Sequence, residues 1–151
     1  MTGSEEVVKK LVECGVNKKN IFILKEQKWF DLGLIQAKLD KLEHDTPNYA
    51  LHFQYELKKG LYVVDTASVE NIDAKDYNLY LVENNYQEEI LEKHIQECME
   101  SNDNEDKLFY LNRVKSTHLS SSKCNDFLIN NMGSDSNYEY IHKSNFNFKE
   151  E

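Results

Sequence analysis

Two His-x-Ser tripeptides, His118-Leu119-Ser120 and His142-Lys143-Ser144, are the residues of this chain best suited to acid–base chemistry. Imidazole changes charge near neutral pH, so a pair can take a proton from one oxygen and return it to another. Cys124 lies between them in sequence and could meet either ring as a thiolate. It also shares an apolar helical stripe with Phe127 and Leu128, where a cysteine behaves as a small hydrophobe. His94 and Cys98 stand four apart, the spacing that puts two zinc ligands on one face of a helix. No Cys-x-x-Cys or His-x-x-x-His exists to complete that site. Asp135-Ser136-Asn137-Tyr138-Glu139 begins like a calcium loop, but Tyr140 stands where the turn needs glycine and Phe146 where glutamate must close the shell. The glycines, at 3, 15, 33, 60 and 133, form neither phosphate-loop pattern, and no G-x-S-x-G elbow occurs. These spacings imply no metal and no cofactor.

Paired His-x-Ser or His-x-Thr motifs also occur in two-histidine phosphoesterases, and His118 and His142 resemble that pair over six residues. The resemblance implies a general base and a general acid working on a phosphodiester. Against it stand the short separation of the two motifs and Lys143, which interrupts the apolar flank such motifs keep. A small hydrolase or phosphoesterase using His118 and His142 is therefore the alternative reading. A small-molecule-binding domain with a pocket between sheet and helices is a third.

The leading reading comes from charge. Between Glu83 and Asp106 there are nine acids and one base, Lys93, while the rest of the chain is nearly balanced; the whole carries a net −9. Glu88 and Glu92 repel at i,i+4 on a helix, where a solubilising face normally alternates sign. The acidity continues through Glu100, Asp103, Glu105 and Asp106. Such a patch fits a basic partner. The reading is a non-enzymatic interaction module, most concretely an immunity or inhibitor protein that occludes the cationic cleft of a nuclease-type toxin. Glu88, Glu89, Glu92, Glu100, Asp103, Glu105 and Asp106 would steer association, with Tyr86 and Tyr110 as aromatic anchors. Nucleic acid is excluded as a partner by the acidic balance, pI 5.1.

The elements that must carry these residues follow from periodicity. Val7, Val8, Leu11, Val12 and Cys14 predict a helix, with Thr2 and Glu5 as a capping box and Gly15 as its stop. Residues 20–24 read as a short strand, and Phe30, Leu34, Ile35, Leu39 and Leu42 as a second helix before Pro47. Leu51, Phe53, Tyr55 and Leu57 alternate with polar residues, predicting a strand with those four buried. A turn at Lys58-Lys59-Gly60 would lead into residues 61–64, and residues 77–82 would close an antiparallel meander. Tyr86, Ile90, Leu91, Ile95, Cys98 and Met99 form one helical stripe. Leu108–Val114 reads as a strand, Ser120–Ser122 as the cap of a helix through Met132, and Tyr138, Tyr140, Phe146 and Phe148 as a last extended segment. The fold class is α+β, three to four helices on a mainly antiparallel sheet, one domain over 1–148 with 149–151 frayed. Three cysteines leave an odd thiol, no run approaches the ~20 apolar residues of a membrane span, and the acidic N-terminus is no signal peptide. A cytoplasmic protein with reduced thiols is expected.

Overall fold

The register of one strand organises the architecture. Tyr49–Tyr55 (β5) pairs antiparallel with Gln36–Lys41 (β4) on one side and Lys58–Val63 (β6) on the other. The structure is a computed structural model that describes residues 2–101 and 105–144. In it β5 turns Ala50 and His52 fully into the core, while Leu51 and Phe53 are half-buried on the opposite face. Tyr55 is 53 % exposed and Leu57 is 95 % exposed. The expectation that Leu51, Phe53, Tyr55 and Leu57 form the buried row is therefore out of phase by one residue. Alternation marks a two-sided strand, but it does not say which side the larger core covers. Here the core accepts His52 because its Nδ1 lies 3.1 Å from the Tyr77 hydroxyl. Its Nε2 sits 2.9 Å from Asp40 Oδ2 without the alignment of a hydrogen bond.

The hairpin turn is Glu56-Leu57, with Glu56 at φ 53°, not the Lys58-Lys59-Gly60 of the sequence reading. Gly60 instead sits inside β6 beneath the Phe53 ring, where a Cβ would collide with the ring. β6 pairs in parallel with Leu79–Glu83 (β7), and β7 in parallel with Asn137–Ile141 (β8). Phe30–Asp31 (β3) adds an antiparallel edge to β4, and the sheet order is β3-β4-β5-β6-β7-β8. The class is α+β as expected. The meander is corrected to a mixed sheet, antiparallel in one half and parallel in the other.

Parallel neighbours need long crossovers. The one from β6 to β7 is irregular and buries Val69, Ile72 and Ala74. The one from β7 to β8 contains Glu88–Ser101 (α2), Glu105–Thr117 (α3) and Ser121–Asn131 (α4). α3 replaces the strand expected at Leu108–Val114. Leu108, Leu111 and Val114 recur every three residues and pack with Leu91, Ile95 and Cys98 of α2, while Phe109 and Tyr110 face solvent. The helix expected over 30–42 is instead β3 and β4. Asp31 Oδ1 accepts a hydrogen bond from the Gly33 N–H, and Gly33 takes φ +94°, so the chain reverses there. Six ladder pairs to β5 then override helical periodicity.

α4 lies against the sheet. Cys124, Phe127 and Leu128 meet Ala50, Leu61, Val63, Tyr80 and Val82 in the main core. Its N-cap is Ser120, whose Oγ accepts from Lys123 N–H, as the serine run suggests. A smaller unit holds Glu5–Glu13 (α1) beside the parallel pair Thr2–Gly3 (β1) and Phe22–Ile23 (β2). There the cap is Ser4 rather than Thr2, accepting from the Val7 N–H at 3.4 Å. Cys98 and Cys124 are buried and Cys14 is exposed, none of them bonded. Among the described residues no helix is long and apolar enough to cross a membrane.

Candidate metal centre

The chain immediately after β7 is joined on both sides. Asn84 N–H donates to the Ile141 carbonyl at 3.1 Å, and Ser144 N–H donates to the Asn85 carbonyl at 3.0 Å, so β7 and β8 stay together past their ends. On the other side Asn85 N–H donates to Leu119 O at 2.9 Å and Ser121 N–H to Tyr86 O at 2.8 Å. Ser121 Oγ also donates to Asn84 Oδ1 at 2.7 Å. These bonds draw the residue after α3, His118, and the residue after β8, His142, onto Glu83, the last residue of β7. Asp65 follows β6 by two residues. All four groups therefore collect at the carboxyl ends of three parallel strands and the end of one helix, where open sheets commonly bind ligands.

His118 Nδ1 is 2.6 Å from Glu83 Oε1 and 3.7 Å from Asp65 Oδ1. His142 Nδ1 is 3.2 Å from the same Glu83 oxygen and 3.0 Å from Asp65 Oδ1. One ligand atom from each of the four residues lies within 4.8 Å of every other. A tetrahedral ion with bonds of about 2.1 Å holds its ligand atoms roughly 3.4 Å apart; the 3.0, 3.2 and 3.7 Å separations lie near that edge, and the 2.6 Å contact between His118 and Glu83 is a hydrogen bond that an ion would replace. Two imidazoles with two carboxylates suit zinc and its first-row neighbours better than calcium or magnesium. The residues present fit the group.

Supporting contacts aim these ligands. The Thr66 N–H donates to Glu83 Oε2 at 3.0 Å, occupying the far oxygen and leaving Oε1 to the cluster. Asn85 Nδ2 donates to the His142 carbonyl at 3.0 Å. Asp65 and His142 both take the left-handed conformation, each at φ 54°. Such a backbone costs on the order of 1 kcal/mol and persists only where its surroundings impose it. Burial is graded across the site. Glu83 is fully buried and the His118 side chain nearly so, whereas the side chains of Asp65 and His142 are 41 % and 44 % exposed. One side is thus closed by protein and the other is open to solvent. The His118 ring meets His142 edge-on at 5.2 Å and His44 at 5.7 Å.

The structure brings together the two histidines singled out in sequence but not in the way the His-x-Ser pattern suggests. Ser120 caps α4, and the four clustered groups are two imidazoles and two carboxylates. The histidines' partners are Asp65 and Glu83, which no short motif marks. Cys124 is no partner for either ring: burial pushes its thiol up to about 12, and it belongs to the main core. Cys98 is likewise buried in the α2–α3 core, and His94 is half-buried beside it.

The acidic residues have local employment. Glu88 and Glu89 open α2, and Glu105 and Asp106 open α3, where carboxylates favour the helix dipole. Glu88 accepts from Ser122 Oγ, Glu92 pairs with Lys115 of α3 at 3.1 Å, and Glu100 accepts from Gln96. Tyr86 is only 4 % exposed, while Tyr110 is 49 % exposed. Asp103, Phe146, Phe148 and residues 149–151 lie outside the described residues.

No protein-family model matches the chain, and no curated protein matches it in sequence. Among solved structures it is similar to the metallo-beta-lactamase fold protein YhfI from Bacillus subtilis, at TM-score 0.58 and 11 % identity. The match covers 84 % of this chain and 45 % of that one, so the chain spans about half the length of its structural neighbour. At that identity the likeness shows the fold alone. Together with the four-residue cluster it overturns two expectations, that the chain is an immunity or inhibitor protein and that it is not an enzyme. The hydrolase alternative built on His118 and His142 is the reading these findings favour.

Proposed function

We propose that this chain carries a hydrolytic centre that holds a divalent transition metal, zinc by preference, on Asp65, Glu83, His118 and His142. The observation that carries the reading is the convergence of those four ligand atoms at the carboxyl ends of β6, β7 and β8. The similarity to a metallo-beta-lactamase fold protein supports it. A zinc ion there would supply Lewis acidity and an activated water near neutral pH. The chain's own contribution is placement. Glu83 is oriented by the Thr66 N–H, His142 by Asn85, and His118 by the end of α3. The buried side of the cluster keeps bulk water from Glu83, and the exposed Asp65–His142 side admits substrate.

The test is metal content followed by activity. Protein purified without chelator and dialysed against micromolar zinc should hold one ion per chain by elemental mass spectrometry. Glu83→Gln and His118→Ala should lose most of it while keeping the wild-type circular dichroism spectrum. A panel of carboxylic, thio- and phosphate esters should show at least one hydrolysis that chelator stops and zinc restores. Wild-type protein that takes up no zinc, manganese or iron would overturn the reading.

A further inference from the structure

Beside the cluster, Arg113 of α3 reaches across to the loop after β4. Its Nε donates to Asp45 Oδ2 at 2.7 Å, and among the described residues the other guanidinium N–H groups donate no further hydrogen bond. Asp45 is adjacent in sequence to His44, whose ring packs on His118, and its Oδ1 lies 2.8 Å from His44 Nδ1. The Arg113 side chain is 42 % exposed, so it is anchored on one edge and open on the other. Asp45 and His44 thus link the guanidinium to His118 of the cluster. Asp45 is the main cause that raises the guanidinium above its ordinary value, and Asp65 adds to it.

We propose that Arg113 is the specificity-determining residue of this site and that it receives a singly charged oxyanion, the phosphate of a phosphodiester. The proposal rests on the metal-hydrolase reading above. A guanidinium with one edge clamped by a carboxylate presents the other as a planar fork, the geometry that matches two oxygens of a phosphate. Charge then selects the class. Two carboxylate ligands cancel a divalent ion, Asp45 cancels Arg113, and imidazoles that ligate a metal are neutral. The site is therefore close to neutral overall, with strong local donors. With no net positive charge to offset desolvation, the local donors can meet the single charge of a diester, whereas stripping water from the two charges of a phosphate monoester costs more than they return.

The experiment uses the zinc-loaded full chain and two probes, dimethyl phosphate with one charge and phenyl phosphate with two, titrated by NMR or calorimetry. Wild type should bind dimethyl phosphate the tighter of the two. Arg113→Ala should weaken dimethyl phosphate about tenfold with zinc affinity unchanged, and Arg113→Lys should restore only part of that. Asp45→Asn leaves the guanidinium charge uncompensated and should shift the preference toward phenyl phosphate. Hydrolysis of bis(p-nitrophenyl) phosphate, where present, should show the Arg113→Ala loss mainly in KM. Equal affinity in wild type and Arg113→Ala, or tighter binding of phenyl phosphate by wild type, would overturn the assignment of Arg113 while zinc binding still stands. Failure of wild type to bind zinc would remove the hydrolase reading and this proposal with it.

Discussion

Asn85 Nδ2 donates a hydrogen bond to the main-chain carbonyl of His142 at 3.0 Å, which ties the end of β7 to the one cluster residue that follows β8. His142 sits at φ 54°, so this carbonyl belongs to a strained residue, and the amide of Asn85 is one of the groups that hold it. Asn85 itself is 5 % exposed. A buried polar side chain aimed at the backbone of a candidate ligand is a positioning group.

Replacing Asn85 by Ala should therefore reduce zinc affinity by about tenfold to a hundredfold, the range typical of groups that orient ligands. The thermal transition should fall only modestly, because the lost bond is worth on the order of 1–3 kcal/mol. Zinc titration against a fluorescent chelator measures the first and calorimetry the second. Unchanged zinc affinity with lowered stability would show that Asn85 serves the sheet and not the site.

His52 sets a pH dependence of stability away from the cluster. Burial pushes its pKa down to about 4 from 6.5, with Lys38 adding to the shift and Asp40 opposing it. The neutral ring is the form that folds, so the unfolded chain binds a proton more readily. The contribution is fully present above pH 6.5 and is lost as pH falls from there through about 4. Urea unfolding of the metal-free protein between pH 7.5 and 4 should show this slope, and His52→Gln should flatten it.

Gly60 and Phe53 should behave as a coupled pair. A Cβ at Gly60 would collide with the Phe53 ring, so Gly60→Ala should destabilise the fold by about 1–3 kcal/mol. Phe53→Ala empties the space and loses half-buried apolar area. The double variant should then be more stable than the sum of the two single effects implies, by about 1 kcal/mol. Additive losses in a denaturant cycle would mean that the ring moves aside without cost.

Thiol labelling should divide the cysteines by burial. Cys14 is exposed, whereas Cys98 and Cys124 are buried, and the Cys124 thiol is pushed up to about 12. One thiol should react promptly with a disulfide reagent at pH 8 and two only on unfolding, and Cys14→Ser should abolish the fast phase. Prompt reaction of Cys124 would contradict its place in the core.

Local pattern foretold much of the helical content and little of the sheet's face. The stripe Leu91, Ile95 and Cys98 and the cap at Ser120 reappear as α2 and the start of α4, because i to i+4 neighbours are set within the segment itself. Residues 30–42 went to strand because the Gly33 turn and the ladder to β5 outweigh an apolar spacing that fits a helix poorly, leaving Leu34 at 85 % exposed. Residues 108–114 went to helix because the partner that buries Leu111 and Val114 is α2, which a window of seven residues does not contain.

By itself the sequence determined the α+β class, the burial of Cys98 and Cys124 and the candidacy of His118 and His142, since each depends on residue type and short-range spacing. Tertiary structure alone decided that His52 faces inward and that β6, β7 and β8 run parallel. It alone also placed Asp65 and Glu83 beside the two histidines. Those four residues come from separate stretches of chain and meet only after β7 is paired on both sides and Asn84, Asn85 and Tyr86 are bonded to their neighbours. Strand pairing is non-local, and its register is chosen by which face the whole assembled core can bury, so no motif in the chain announces Asp65 and Glu83 as partners of the two histidines.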